Sequence, residues 1–79
     1  MKYRKKPAVV EARRLTINNM ATLANWCDGS VLTLKPRVEV PTLHGVAVAH
    51  IGDWIIRGEA GDFWPCKPRI FEATYEEAA

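Results

Sequence analysis

A chain of 79 residues has room for one hydrophobic core, so the sequence predicts a single domain spanning residues 1–79. Its hydrophobic content of 48% and charged content of 25% are those of a folded globular protein and exclude a disordered chain. The net charge of +2 excludes a strongly basic protein whose binding is dominated by phosphate contacts.

The first third of the chain predicts one strand and one helix. The segment 7–15 alternates imperfectly between apolar and polar residues, which is typical of a strand with one inward face. Apolar residues then recur with helical spacing, which predicts an amphipathic helix over residues 18–28 that covers a sheet. Asn18 or Asn19 is placed to accept the first free amide protons of this helix, and Gly29 is placed to end it.

The rest of the chain predicts short antiparallel strands and a second helix. Apolar and β-branched runs are separated by turn residues, among them His44-Gly45 and Gly52-Asp53. Two prolines exclude residues 64–68 from a central strand, and Pro68 suits the first turn of a short helix over residues 68–77. The predicted packing face of that helix is Ile70, Phe71, Thr74 and Tyr75. The expected fold class is α+β: a small antiparallel β-meander sheet packed by two helices.

The ends of the chain and its cysteines indicate the cellular setting. Lys2 to Lys6 form a basic beginning, but no apolar stretch of signal-peptide length follows, and no run is long enough to span a bilayer. Cys27 and Cys66 lie far apart and form no CxxC pair, which argues against a disulfide framework or a structural zinc site. We therefore expect a cytoplasmic protein with reduced thiols and no cofactor.

Several motifs resemble those of a known family. They lie at positions 52–58 (GDWIIRG), 63–68 (FWPCKP) and 70–76 (IFEATYE), with 4–7 (RKKP) and 9–12 (VVEA) near the beginning. The chain resembles small accessory proteins of tailed phages and prophages with a P-G-D-[YW]-I-I motif and a C-terminal Y-P-C-K-P-x-I-F-E-x-T-Y-E stretch. Ile51 replaces the usual proline, and Trp64 stands where tyrosine is common. The resemblance implies a phage accessory protein in the host cytoplasm and brings no catalytic residues.

The sequence contains no recognisable catalytic motif. It has no P-loop, no G-x-S-x-G, no H-E-x-x-H and no dinucleotide fingerprint, so we expect no enzyme activity. A metal site of His44, His50 and Cys66 matches no common zinc spacing. Cys66 precedes the predicted C-terminal helix, where its thiol is either reactive or, as we favour, a small buried group. Asp53 is interpreted as a turn residue that accepts nearby backbone amides.

The remaining functional candidates are aromatic and basic side chains, which are common anchors of interfaces. These tentative binding residues are Trp54, Arg57, Trp64, Lys67 and Arg69. The favoured hypothesis is a module that binds and modulates a host protein through a tryptophan-containing surface or a free sheet edge, with self-association left open. The first alternative is a pocket that sequesters a nucleotide or another small ligand. The second is nucleic-acid binding through the basic beginning.

The sequence also suggests which side chains fill the core. In so small a domain, the three tryptophans are expected to supply a large share of the buried area. These residues are Trp26, Trp54 and Trp64. The apolar faces predicted for the first strand and the first helix are expected to pack beside them.

Overall fold

The fold consists of two three-stranded antiparallel sheets and two helices over the described residues, which confirms the α+β prediction. The computed structural model describes residues 1–3 and 8–78. The elements are β1 (Glu11–Arg14), α1 (Met20–Trp26), β2 (Ser30–Leu32), β3 (Arg37–Thr42), β4 (Gly45–His50), β5 (Trp54–Arg57), β6 (Phe63–Cys66) and α2 (Pro68–Thr74). Residues 4–7, which include the start of the predicted first strand and most of the basic beginning, lie outside the described residues.

The two sheets differ in how far apart along the chain their strands lie. In the meander sheet, β2, β3 and β4 pair in chain order through local connections. In the terminal sheet, β5 lies between β1 and β6, so the beginning of the chain pairs with a strand near its end. The strands were predicted as one meander, and the pairing of β1 with β5 is a long-range contact that local patterns do not specify.

The hairpin of β3 and β4 turns through a two-residue loop. Thr42 pairs with Gly45, so the loop consists of Leu43 and His44, one residue earlier than the predicted turn. Gly45 has the positive φ (+108°) expected of it, a conformation that glycine adopts without a steric cost. The Thr42 hydroxyl donates a hydrogen bond to the Gly45 carbonyl (2.6 Å) and accepts one from the His44 amide (3.1 Å), which fixes the turn.

The helix α1 is shorter than predicted, and its beginning is stabilised in an unexpected way. Asn19 occupies the N-cap position, but its side chain caps no helix amide. Its Oδ1 instead accepts a hydrogen bond from the Thr16 amide (2.8 Å), and its Nδ2 donates to the Arg14 carbonyl (2.9 Å). The prediction that Asn18 or Asn19 caps the helix is therefore wrong, because no side chain of the described residues caps it and that of Asn19 is turned back to the connection from β1.

Close packing determines how α1 joins β2. Asp28, and not Gly29, takes the left-handed conformation (φ +56°) that ends the helix. The Gly29 amide donates to the Ala24 carbonyl (2.7 Å), which satisfies a free carbonyl of the last turn. A Cβ atom at position 29 would collide with the Glu39 carbonyl oxygen, so glycine is required here for close approach.

The hydrophobic core is mainly aliphatic and joins both sheets to α1. Its members are Leu15, Leu23, Ala24, Cys27, Val38, Val40, Ala49 and Ile55. The tryptophans do not form this centre, since all three are half-buried. Trp26 packs on the core edge-to-face with Phe63, with ring centroids 5.0 Å apart. The expectation that the tryptophans fill the core is therefore met only at its margin, where Trp26 packs against it.

At the end of the chain, the prolines lie where the sequence predicts them, in an edge strand and at the beginning of a helix. Pro65 lies in β6, an edge strand of the terminal sheet, where a missing amide donor is tolerated. Pro68 begins α2 as predicted, although the helix ends at Thr74, three residues early. Ile70, predicted on the packing face, is instead 60% exposed. In the part of the chain that the structure describes, neither helix has the length and apolar character needed to cross a membrane.

Candidate functional site

Three aromatic rings join α2 to the terminal sheet. The ring of Trp54 on β5 stacks on Phe71 of α2, with centroids 4.2 Å apart and planes 10° apart. Phe71 in turn contacts Tyr75, four residues further along, with centroids at 5.1 Å. Residues with this spacing lie on the same side of a helix. We call these three residues the aromatic stack.

A groove of about 770 Å³ lies beside the aromatic stack. It is lined by the stack itself, by Val9 and Val10 before β1, and by Glu76 and Glu77 after α2. Val9 belongs to the segment 7–15 that was predicted as one strand, but β1 begins only at Glu11 and Val9 is exposed. We call this surface the aromatic groove. Its lining combines aromatic and aliphatic side chains with two carboxylates.

A buried carboxylate connects the β4–β5 turn to the beginning of α2. Asp53 is only 4% exposed. Its Oδ2 accepts hydrogen bonds from the backbone amide of His50 (2.9 Å) and from Nζ of Lys67 (2.9 Å). Lys67 Nζ also lies 3.3 Å from Nδ1 of His50. The predicted turn role of Asp53 is confirmed by the bond to the amide, whereas the ion pair with Lys67 had no signal in the sequence.

The structure places the two predicted binding tryptophans on one face of the terminal sheet. Trp64 on β6 lies directly opposite Ile56 on β5, and opposed residues point to the same side of a sheet. Trp54 lies two residues before Ile56 on the same strand and therefore shares that side. Trp54 belongs to the aromatic groove, whereas Trp64 lines a second crevice with the hairpin loop. The two indole rings therefore serve two different surfaces.

The three predicted basic binding residues lie apart from the aromatic groove. Arg57 follows Ile56 on β5 and so points to the opposite face, where it lies 3.9 Å from Glu11. Lys67 is bound to Asp53. Arg69 lies exposed on α2. The five tentative binding residues are thus not gathered around one cavity, and a binding role for each stays a prediction.

The residues considered for metal binding are separated in the fold. His44 lies in the loop before β4 and His50 at the far end of that strand. Within residues 1–3 and 8–78, no group of three or more His, Cys, Asp or Glu side chains has an arrangement that could hold a metal ion.

Cys66 lies in surroundings that oppose a thiolate. Burial raises the pKa of the Cys66 thiol above its ordinary value, and the Asp53 carboxylate raises it further. A reactive cysteine requires the opposite shift, since the thiolate is the nucleophile. The raised pKa argues against a reactive thiolate, although Cys66 is half-buried and not the fully buried group that we favoured.

We expect Cys66 to react slowly with iodoacetamide at pH 7 and faster only as the pH rises above the ordinary thiol range of about 8.5. Mass spectrometry of the alkylated protein at several pH values measures this, with Cys66→Ser to assign the site. Protein unfolded in urea provides the reference rate. Rapid modification of folded Cys66 at pH 6 would contradict the raised pKa.

The aromatic groove is chemically suited to apolar and basic groups. Ring faces accept apolar side chains and also attract Lys and Arg cations. The carboxylates of Glu76 and Glu77 attract the same cations and repel phosphates. No family model, curated protein or solved structure matches this chain.

Proposed function

We propose that this protein is a non-catalytic phage accessory protein that binds a host protein in the cytoplasm through the aromatic groove. The observation that supports this is the aromatic stack, which lines an open groove with exposed Val9 beside it. Tyrosine and tryptophan are frequent energetic anchors of protein interfaces because they bury large areas with few rotatable bonds.

The charges at the groove define the chemistry of the partner. Glu76 and Glu77 line it and are exposed, so they remain free to contact a bound segment. An apolar segment that also carries Lys or Arg complements both the rings and the carboxylates. Such charge complementarity accelerates association and excludes acidic competitors. We therefore propose a partner that presents a basic and apolar segment.

The same two carboxylates argue against nucleotide sequestration, which we therefore rank as the second candidate function. A nucleotide in the aromatic groove would bring its phosphates near Glu76 and Glu77, which is electrostatically unfavourable. A rise in melting temperature with added nucleotides would favour sequestration, because a ligand that binds only the folded state stabilises it. Nucleic-acid binding through Lys2 to Lys6 stays a prediction, since residues 4–7 lie outside the described residues.

Capture from host lysate with charge-reversed variants tests the proposal. We expect Glu76→Lys combined with Glu77→Lys to lower capture of the host partner about tenfold, which corresponds to about 1.4 kcal/mol of binding energy. The matched control is Glu59→Lys combined with Glu72→Lys, which makes the same change in net charge at exposed positions that do not line the groove. The control variant should retain the partner.

The outcome is interpreted only for variants whose circular dichroism and melting temperature match those of the wild type. Capture by the wild type should also weaken at high salt, because the interaction includes exposed charges. Equal capture by both double variants would show that the partner binds elsewhere. A wild-type protein that retains no host protein would overturn the proposed function itself.

A further inference from the structure

Among the described residues the two sheets have four edge strands, and one of these edges lacks the features that normally prevent strand pairing. Edge strands are usually protected by charges, by proline or by being very short. The strand β1 carries three charged side chains in four residues, β2 has only three residues, and β6 contains Pro65. The strand β4 has six residues and contains no proline, Lys, Arg, Asp or Glu. Its edge is therefore the unprotected one.

The hydrogen bonds at the end of β4 show which of its backbone groups point outward. The His50 amide donates to Oδ2 of Asp53 (2.9 Å), and the His50 carbonyl accepts from the Asp53 amide (2.9 Å). Both groups therefore face away from β3. Because antiparallel pairing alternates along a strand, the amides and carbonyls of Val48 and Val46 face outward as well. Pro41, opposite Val46, agrees with this pattern, since it has no amide to donate.

These outward groups have no hydrogen-bond partner among the described residues. Among residues 1–3 and 8–78, no group hydrogen-bonds the outward amides and carbonyls of Val46 and Val48. The Val46 side chain is 67% exposed, and neither valine lines the crevice beside the hairpin. The edge thus presents two donors and two acceptors in a row and ends at His50, whose groups are bound to Asp53.

We propose that a second copy of this chain pairs antiparallel along the β4 edge, with Val46 opposite Val48 of the partner subunit. In this register each valine pair exchanges two backbone hydrogen bonds, so all four outward groups of each copy are used. The two-fold axis passes between the two copies of Ala47. The valines face each other on one side of the sheet, and no charged side chain is brought against a like charge.

The lack of charge on β4 favours a second copy, because self-pairing sets the strand against its own side chains and here brings no like charges together. Donors and acceptors at Val46 and Val48 complement their own pattern after a two-fold rotation, as an isologous dimer interface requires. The product is a six-stranded sheet with β4 of each subunit at its centre. The aromatic groove belongs to the terminal sheet and α2, so this proposal does not depend on the proposed function.

Sedimentation of the purified full-length protein over a range of concentrations tests the dimer. We expect the wild type to approach twice the 8.9 kDa mass of one chain as its concentration rises. The variant Val46→Pro removes an outward amide that bonds to no group in the described part of the chain, and it should raise the dissociation constant at least tenfold. Val46→Thr, the matched control, keeps both the amide and the branched shape and should dimerise as the wild type does.

Amide hydrogen exchange of the wild type keeps the proposal testable even where Val46→Pro fails to fold. The Val46 and Val48 amides should exchange at least tenfold more slowly at high than at low protein concentration. The Ala47 amide faces β3 and should be protected at every concentration. A wild type that stays monomeric at about 1 mM, a folded Val46→Pro that dimerises equally well, or a dimer that leaves Val46 and Val48 unprotected would each overturn the proposal.

Discussion

Replacing Ile55 with alanine is expected to lower the free energy of unfolding by about 2–5 kcal/mol, the range for a fully buried large aliphatic side chain. Ile55 on β5 is 0% exposed and belongs to the core that joins both sheets to α1. Its removal leaves a cavity that the short strands on either side cannot close without losing their pairing. Urea denaturation followed by circular dichroism measures the change. For a domain whose whole stability is about 5–15 kcal/mol, the loss is large.

The matched control is Ile70→Ala on α2. Ile70 is 60% exposed, so the same chemical change should alter the free energy of unfolding by no more than about 0.5 kcal/mol. Alanine also has the higher helix propensity, which offsets part of any lost contact. Similar losses for the two variants would mean that Ile55 does not lie at the centre of the core.

The second large effect is expected for Asp53→Ala, at about 2–3 kcal/mol of unfolding free energy. The substitution leaves the His50 amide without its acceptor and also removes the charged partner of Lys67. The carboxylate is 4% exposed, so its bond to the amide is shielded from competing water. The ion pair contributes less, because the Lys67 side chain is 58% exposed and its charge is screened. Thermal and urea unfolding both report the loss.

The variant Asp53→Asn separates the two contributions. Asparagine keeps an oxygen that accepts the His50 amide but carries no charge for Lys67. We expect Asp53→Asn to lower the free energy of unfolding by about 1 kcal/mol, which is less than half of the decrease expected for Asp53→Ala. If both variants lose the same amount, the ion pair with Lys67 and not the backbone bond stabilises the turn.

Features with local causes could be predicted from the sequence. The hairpin between β3 and β4 follows from two apolar runs around a glycine, and its position is wrong by only one residue. Asp53 was identified as a turn residue because aspartate accepts nearby amides. Pro68 marks the first turn of α2, since its missing amide would have no intrahelical partner there. In each case the determining residues lie within a few positions of one another.

Features that depend on distant contacts could not be predicted. The face to which Arg57 points is fixed by the register of β5 against β1 and β6, and a shift of one residue would reverse it. The side chain of Asn19 fits the rule for a helix cap, yet it turns back to the Thr16 amide and the Arg14 carbonyl at the end of β1, and the position of β1 depends on its pairing with β5. The local sequence determines which directions and hydrogen bonds are possible for a side chain. The residues that pack against it in the fold determine which of these it adopts.

The candidate site was only partly visible in the sequence for the same reason. Trp54 was identified as a binding residue, but Phe71 and Tyr75 appeared only as the packing face of a helix. Glu76 and Glu77 were not among the predicted binding residues. The groove exists because α2 folds back onto the terminal sheet, which places these groups beside Val9 from the other end of the chain.

The pairing of β1 with β5 also determines the order in which a newly synthesised chain can fold. The hairpins of the meander sheet are local and can close as soon as their strands leave the ribosome. The strand β1 leaves first, yet it stays without its partner until β5, the strand that supplies Ile55, has been made. During that interval β1 is exposed without its partner strand. Its charges at Glu11, Arg13 and Arg14 oppose pairing with another chain.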